Sequence, residues 1–495
     1  MTENKTMSAK LSAYLLDNIV MIVFIVFVIF GFAVSEHLTA SAFTNDLMAR
    51  FFRNGVLVLS LIIPVMAGLG LNFGIVVGAL AGLLSIIFVR YNYMIFPGIG
   101  GLVLCFVLAT PIAMLFGYLT GKLYNAVRGQ EMVASLVVSF FAEGAYMIIV
   151  LFVIGGIIPV RWGHRMINPT AEGVRPVGVR HAFEMGLPEG AGGGRGFAAD
   201  EPPGMARALN NLWQVEFVYA LAAVAVVLFA FILIRRLIMR KNPVLAQLET
   251  FKSFIVKSVL CGILMIFALV SSAQIYYWYI EHARQALLTP GIRLDQLEGI
   301  PQFVVEISRV DPVPAVLALI IVAIGLFMVY FTRTKLGQDC RSVGQSQPIA
   351  NVSGIDVDRT RIIATMISTV LASWGMIIFA QDMGHISTYT MHRNIGFFSV
   401  AAILVGGATA ARASVKNAMI GVVLFHAMFA VSPAVGIFIF DDANAGEYMR
   451  TFMVYGVIGV SLGLYVWKNL KAAKEKERLP RDLDKKTPPV RAHVE

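Results

Sequence analysis

The sequence predicts an all-α polytopic membrane protein with about ten to twelve transmembrane helices, some broken or re-entrant at glycine-rich segments. Three observations carry this prediction. The chain of 495 residues is 58% hydrophobic and 14% charged, against about 25% charged residues in ordinary soluble domains. Apolar runs of about 17 to 25 residues, the length that crosses hydrocarbon as a helix, recur from end to end. No run shows the alternating ten-residue pattern of a membrane β-strand, and helices close their backbone hydrogen bonds internally, as lipid demands.

Taken in order, the candidate spans are 18–34, 55–71, 72–89, 99–119, 132–158, 215–234, 256–276, 313–331, 361–381, 395–409, 415–438 and 451–467. The first follows Lys5 and Lys10 and precedes TASA (39–42), the order of a cleaved signal peptide. Its apolar run is longer than a usual signal core, and Glu36 and His37 intervene, so it reads as an uncleaved span. The pairs 55–89 and 395–438 are each either two crossings or one broken, partly re-entrant segment. In PVMAGLGLNFGIVVGALAGLLS (64–85) glycines recur four apart from Gly70, which places them on one helical face for close packing. Asn72 at the middle of that stretch is either packing glue or part of a polar path through a broken helix. In FGYLTGKLYNAVRGQEMVASLVVSFFAEG (116–144), Gly117 and Gly121 are again four apart, and Lys122 and Arg128 mark a turn on the inside. Glu143 falls within the following span with no obvious basic partner in the sequence; it is a hydrogen-bonding residue, a path residue or a proton site.

Two segments, 159–213 and 277–312, read as external insertions, the second holding a short helix or packed turn within TPGIRLDQLEGIP (289–301). In ILVGGATAARASVKNAMIGVVLFHAMF (403–429), Gly406 and Gly407 predict a sharp turn or re-entry, and His426 reads as a core histidine. Short loops such as RRLIMRKN (235–242) and the tail KNLKAAKEKERLPRDLDKK (468–486) are basic, which places them, and both termini, in the cytoplasm by the positive-inside tendency. The net charge of +10 therefore follows topology and gives no reason to invoke nucleic acid. Residues 1–473 form one transmembrane domain, and 474–495 a charged cytoplasmic tail. Cys105, Cys261 and Cys340 have neither metal-ligand spacing nor a disulfide pattern. Nothing matches GxxxxGK[ST], H-E-x-x-H or G-x-S-x-G, so no catalytic residue, cofactor or metal is expected in this chain.

The segment RTKLGQDCRSVGQSQPIANVSGIDVDRTR (333–361) is polar and lies between two apolar spans, inside in this topology. QDCRSVG (338–344) is helix-capable, Pro348 suits the start of a second short helix, and Gly354 its stop. Asp356 and Asp358 suit the N-terminus of the next span. The expected result is a compact helical knob at the membrane surface, shaped to engage a partner.

The stretch 333–373 resembles the coupling segment of ABC importer permeases, of the simple sugar and nucleoside (ribose-type) branch related to branched-chain amino acid permeases. A basic entry leads to R-x-x-G and then A-x-x-x-G-I-x-V, matched here by Arg341, Gly344, Ala350, Gly354, Ile355 and Val357. Residues 68–85 are similar to the family's G-G-I-D-L-S-V-G helix, keeping Leu71, Gly74 and Gly78 and placing Asn72 near its aspartate. Residues 119–144 share Asn125 and Leu136 with a further family segment, and 397–421 echo its A-x-x-x-G-G and G-x-x-x-G run. The resemblance covers about 55–158 and 313–440, roughly half the chain. It implies a permease subunit of the bacterial inner membrane that pairs with a second permease. Two ATPase subunits holding ATP and Mg would grip the knobs, and an extracytoplasmic binding protein would deliver a sugar, nucleoside or similar small polar solute. It also implies that Arg341, Gly344, Ala350, Gly354, Ile355 and Val357 serve ATPase coupling, while Asn72 and Glu143 are the path candidates. Two other functions are open to the residues alone. An ion-coupled secondary transporter needs an intramembrane acid paired with another acid or a base. A non-transporting membrane scaffold needs no solvated path.

Overall fold

A computed structural model of the chain describes residues 19–35, 38–92, 95, 97–150, 182–184, 205–240, 251–286, 306–307, 309–387, 391–409, 411–442, 444–460 and 463. In chain order the elements are α1 (Ile19–Val34), α2 (Ala40–Ser60), α3 (Ile62–Met66), α4 (Ile75–Tyr91), α5 (Gly98–Ala126) and α6 (Glu131–Ile148). Then come β1 (Ala182–Glu184), α7 (Ala208–Leu212), β2 (Gln214–Val215), α8 (Phe217–Arg240), α9 (Phe251–Ala286), β3 (Val313–Pro314) and α10 (Ala315–Phe331). The chain continues with α11 (Lys335–Gln345), α12 (Gln347–Val352), α13 (Val357–Met383), β4 (His385–Ser387), α14 (Met391–Val405), α15 (Val415–Phe440) and α16 (444–460).

The fold is all-α and polytopic. Among the described residues seven helices are long and apolar enough to cross a bilayer, and α10 with α11 makes an eighth only as one span bent by 71°. The twelve expected spans shift accordingly. Of residues 55–71, 55–60 end the longer helix α2, 62–66 are α3 and 67–71 lie beyond both helices; the polar stretch from Ala40 is itself amphipathic and carries an Asp46–Arg50 pair one turn apart. The span expected at 72–89 begins only at Ile75, and that expected at 395–409 is α14; both helices are shorter than a full crossing. The span at 256–276 extends to 251–286, and the last runs from 444 to 460. Most of the 159–213 and 277–312 insertions, and the tail from 474, lie outside the described residues.

The chain divides into two compact units. The larger comprises 1–35, 53–206 and 323–495. Its centre is α13, clasped from two sides by the glycine faces that the four-residue spacing predicted. A β-carbon at Gly78 would stand 2.5 Å from the Thr369 carbonyl oxygen, and one at Gly117 2.7 Å from the Met366 Cα. Helix backbones that close leave no room for side chains, so dispersion contacts and not bulk hold them. The C-terminal end of α13 stops at Gly384, and the chain then pairs β4 antiparallel with β1, Phe183 opposite Ile386. Helices α14 and α15 form a hairpin, against which α1 stacks Phe24 on Phe425. His426 is buried there beside Phe425 and Phe429.

The smaller unit comprises 36–52 and 207–322. Helices α8 and α9 pack on each other, their apolar side chains largely outward, as a lipid-facing pair requires. Strands β2 and β3 pair at the base. The Ser41 amide and hydroxyl, in the first turn of α2, donate to Glu306, which holds that carboxyl below the ordinary glutamate range. An anion at a helix N-terminus is favourably placed for the helix dipole.

Candidate functional site

The site is built from the knob upward. Thr334 caps α11, its hydroxyl accepting from the Gly337 amide, and Pro348 occupies the first turn of α12. Gly354 turns the chain at φ +82°, a left-handed conformation that suits glycine. Asp356 then caps α13, its carboxylate accepting from the Arg359 amide at 3.0 Å. Val343, Ala350 and Val357 form a small core with Ile355 packed against it. The sequence-predicted residues thus divide by position. Ala350, Ile355 and Val357 build the inside of the knob, Arg341 lies on its exposed surface, and Gly354 shapes its turn. The α12 surface presents Ile349 and Val352, 68% and 90% exposed.

Gly344 is the joint between the knob and the membrane helices. A β-carbon there would lie 2.2 Å from the Met66 carbonyl oxygen, and one at Gly68 would lie 2.8 Å from the Gly344 Cα. The two backbones touch where α3 ends. Between α3 and α4 the chain breaks, with Gly68 and Gly70 at φ +75° and +70°. Such a break frees backbone groups that must be satisfied within the protein. Asn72 does part of this: its side-chain oxygen accepts from the Gly74 amide at 2.9 Å and from the Tyr124 hydroxyl at 2.8 Å. Ser135 and Ser139 of α6 do the rest, the first accepting from the Phe73 amide and the second donating to the Phe73 carbonyl.

A buried cation stands beneath this arrangement. Arg361, fully buried, pairs with Glu131 at 2.5 Å and donates to the Tyr124 carbonyl at 3.3 Å. Next to it, Asn125 donates to the Asp358 carbonyl, and Arg128 pairs with the Asp358 carboxylate. Arg361 thus contacts both Glu131 and the Tyr124 main chain, and the Tyr124 hydroxyl reaches Asn72 in the break. Arg361 was missed in the sequence, although a signal existed. A cation near the N-terminus of an apolar helix opposes the helix dipole and calls for an acid, and Glu131 opens another span.

Next to the break lies a narrow cleft, with a cavity volume of about 10 Å³, lined by Phe73, Val76, Leu136, Ser139, Phe140, Glu143, Arg393, Gly396 and Phe397. Glu143 has the basic partners its own neighbourhood in sequence lacks. Arg393 Nη1 and His392 Nε2 approach its carboxylate at 3.7 and 3.8 Å. They come from the first turn of α14, whose closeness to α6 no local pattern reveals. The structure brings Asn72 and Glu143 to the two sides of one segment, since Phe73 follows Asn72 and lines the Glu143 cleft. Asn72 itself is buried and faces Tyr124.

The family model described as "Branched-chain amino acid transport system / permease component" matches residues 204–462, more than half of the chain. The nucleoside ABC transporter permease protein NupB of Lactococcus lactis subsp. cremoris (strain MG1363) is 27% identical over 116 residues, 23% of this chain and 29% of that protein. The chain thus spans under a third of that curated relative. No solved structure matches. With its glycine-clasped bundle and broken helix, and on the extent of the family match, this chain belongs to the family of branched-chain amino acid transport system permease components.

Proposed function

We propose that the chain is the permease subunit of an ATP-binding cassette importer in the bacterial inner membrane, forming the path for a small polar solute, a sugar or a nucleoside. The observation that carries the reading is the knob. It has its own core, an exposed apolar tip and a backbone-to-backbone joint with the broken helix next to the cleft. A rigid peg of this kind moves whatever it touches when a partner grips it differently in two states. The reading assigns the grip to Arg341 and the α12 tip, and the rigidity to Gly344, Ala350, Gly354, Ile355 and Val357. Each knob would face one of two ATPase subunits on the cytoplasmic side, where ATP and Mg would be held. A second permease would complete the path, and an extracytoplasmic binding protein would load it. The nucleoside option takes support from the similarity to NupB.

Single cysteines at Ser346 and Ser353 test this. Bifunctional reagents should join them to a nucleotide-binding polypeptide in native membranes. The native Cys340 will not interfere, since burial, with Asp339 beside it, pushes its thiol up to about 12. Failure to capture such a partner from several tethers on the folded chain removes the proposal. One observation favours the ion-coupled alternative, namely the pairing of Glu143 with His392 and Arg393. That alternative predicts uptake abolished by a protonophore in vesicles still supplied with ATP, whereas the importer reading predicts uptake that persists.

A further inference from the structure

We propose that the elbow between α10 and α11 binds the headgroup of an anionic phospholipid in the leaflet on the knob's side. The first support is where the elbow stands. One face of α10, with Ile321 and Met328, is buried, while Leu319, Val322, Leu326 and Tyr330 form an exposed stripe on another. At 17 residues α10 is about 26 Å long, so with the turn that follows it nearly matches the roughly 30 Å of bilayer hydrocarbon. Tyr330, 70% exposed, closes the stripe at the depth where amphipathic rings concentrate. The Arg333 amide donates to the Tyr330 carbonyl at 2.9 Å. In a turn closed that way, side chains three apart stand one above the other, so Arg333 continues the lipid-facing stripe at headgroup level.

The second support is that the elbow is a fixed structure with uncommitted charge. Helix α11 leaves α10 at 71°, close to the plane of the membrane surface. Gly337 permits the bend, since a β-carbon there would lie 1.9 Å from the Phe331 carbonyl oxygen. The Thr334 hydroxyl donates to that carbonyl, and the Gln338 amide donates to the Thr332 carbonyl at 2.9 Å. The bend therefore satisfies its own carbonyls and makes no demand on the cations beside it. Arg333 and Lys335 are exposed, and among the described residues neither side chain has an ion pair or a hydrogen bond. Asp339, the acid of α11, stands beside buried Cys340. Leu336 lies on the same side of α11 as buried Cys340 and Val343, four and seven residues on, and yet is exposed. A soluble partner that took the two cations would leave Tyr330 and the apolar stripe uncovered. A phospholipid brings phosphate and acyl chains in one molecule and matches both. A negative membrane surface attracts each nearby cation by about fivefold in binding, which favours an anionic lipid over a zwitterionic one. Arg341, assigned above to the ATPase, lies toward the other end of α11, so lipid and motor take different parts of the helix.

The test places the photoreactive residue p-benzoyl-phenylalanine at Tyr330 of the full chain. The protein is reconstituted in vesicles of phosphatidylcholine and phosphatidylglycerol at about 3:1 and irradiated, and the adducts on the α10 peptide are identified by mass spectrometry. Phosphatidylglycerol should be enriched among the adducts by about fivefold or more over its share of the bilayer. The same probe at Leu319, on the stripe but far from the elbow, should report the bilayer ratio. Arg333→Gln with Lys335→Gln should return the ratio at position 330 to that of the bilayer, with the total yield of lipid adduct unchanged. Lys122→Gln, which removes an exposed cation over the Tyr118 ring at the end of α5, should leave the enrichment intact. Raising the salt concentration should reduce the enrichment, as it does for exposed charges. The bilayer ratio at position 330, an equal loss in Lys122→Gln, or capture of a second copy of the chain in place of lipid overturns the proposal.

Discussion

Arg361 shows how a single side chain joins function to fold. Its guanidinium is sealed from solvent and its Nε and Nη1 have no partner among the described residues, where the Glu131 carboxylate and the Tyr124 carbonyl carry its stabilisation. Removing one member of a buried pair strands the other charge, which costs about 3–5 kcal/mol, while removing both is often nearly neutral. Arg361→Met should therefore lower thermal stability in detergent markedly, and Arg361→Met with Glu131→Gln should recover at least half of that loss. Simple additivity of the two single variants would show that the pair is not coupled. At this scale the sequence was uneven. The positions of Asn72 and Glu143 were legible because a polar residue in an apolar run is conspicuous. Their partners were not, since Tyr124, Arg393 and His392 come from other helices and only the packing brings them near.

At the scale of elements the knob was the most legible part, because its signals are local. Pro348 at a helix start, Gly354 at a stop and Asp356 as a cap each act within a few residues. What no local signal reveals is that Gly344 serves as a joint; its partner Gly68 lies far away in the chain. The two glycines of the knob accordingly make different predictions. Gly344→Ala forces a β-carbon to within 2.2 Å of a main-chain oxygen, so the knob must separate from the α3 break. Gly354 has open space around it, and alanine there meets only the strain of φ +82°, about 1–2 kcal/mol. If the chain works as the proposed importer, then with membrane insertion equal Gly344→Ala should cut solute-stimulated ATPase activity of the complex by tenfold or more, and Gly354→Ala by only a few-fold. If the order is reversed, the joint does not lie at Gly344.

At the scale of the whole molecule, hydropathy specified the class of fold and misjudged the lengths of its parts. Helices α4 and α14 are apolar because they are buried in protein, and composition alone cannot separate burial in protein from burial in lipid. The long central helix resolves part of this. At 27 residues α13 is about 40 Å long, more than the roughly 30 Å of bilayer hydrocarbon. Its first turn belongs to the knob, and its far end turns at Gly384 into β4, paired with β1. That length predicts that the two ends lie on opposite faces of the membrane. His385, exposed on β4, and Ser353, exposed on the knob, are suitable reporters. In sealed right-side-out vesicles a membrane-impermeant maleimide should label His385→Cys and spare Ser353→Cys, and inverted vesicles should give the reverse. Labelling of both from one side would mean that α13 re-enters instead of crossing, and a knob sharing a face with β4 would be no use to a motor in the cytoplasm.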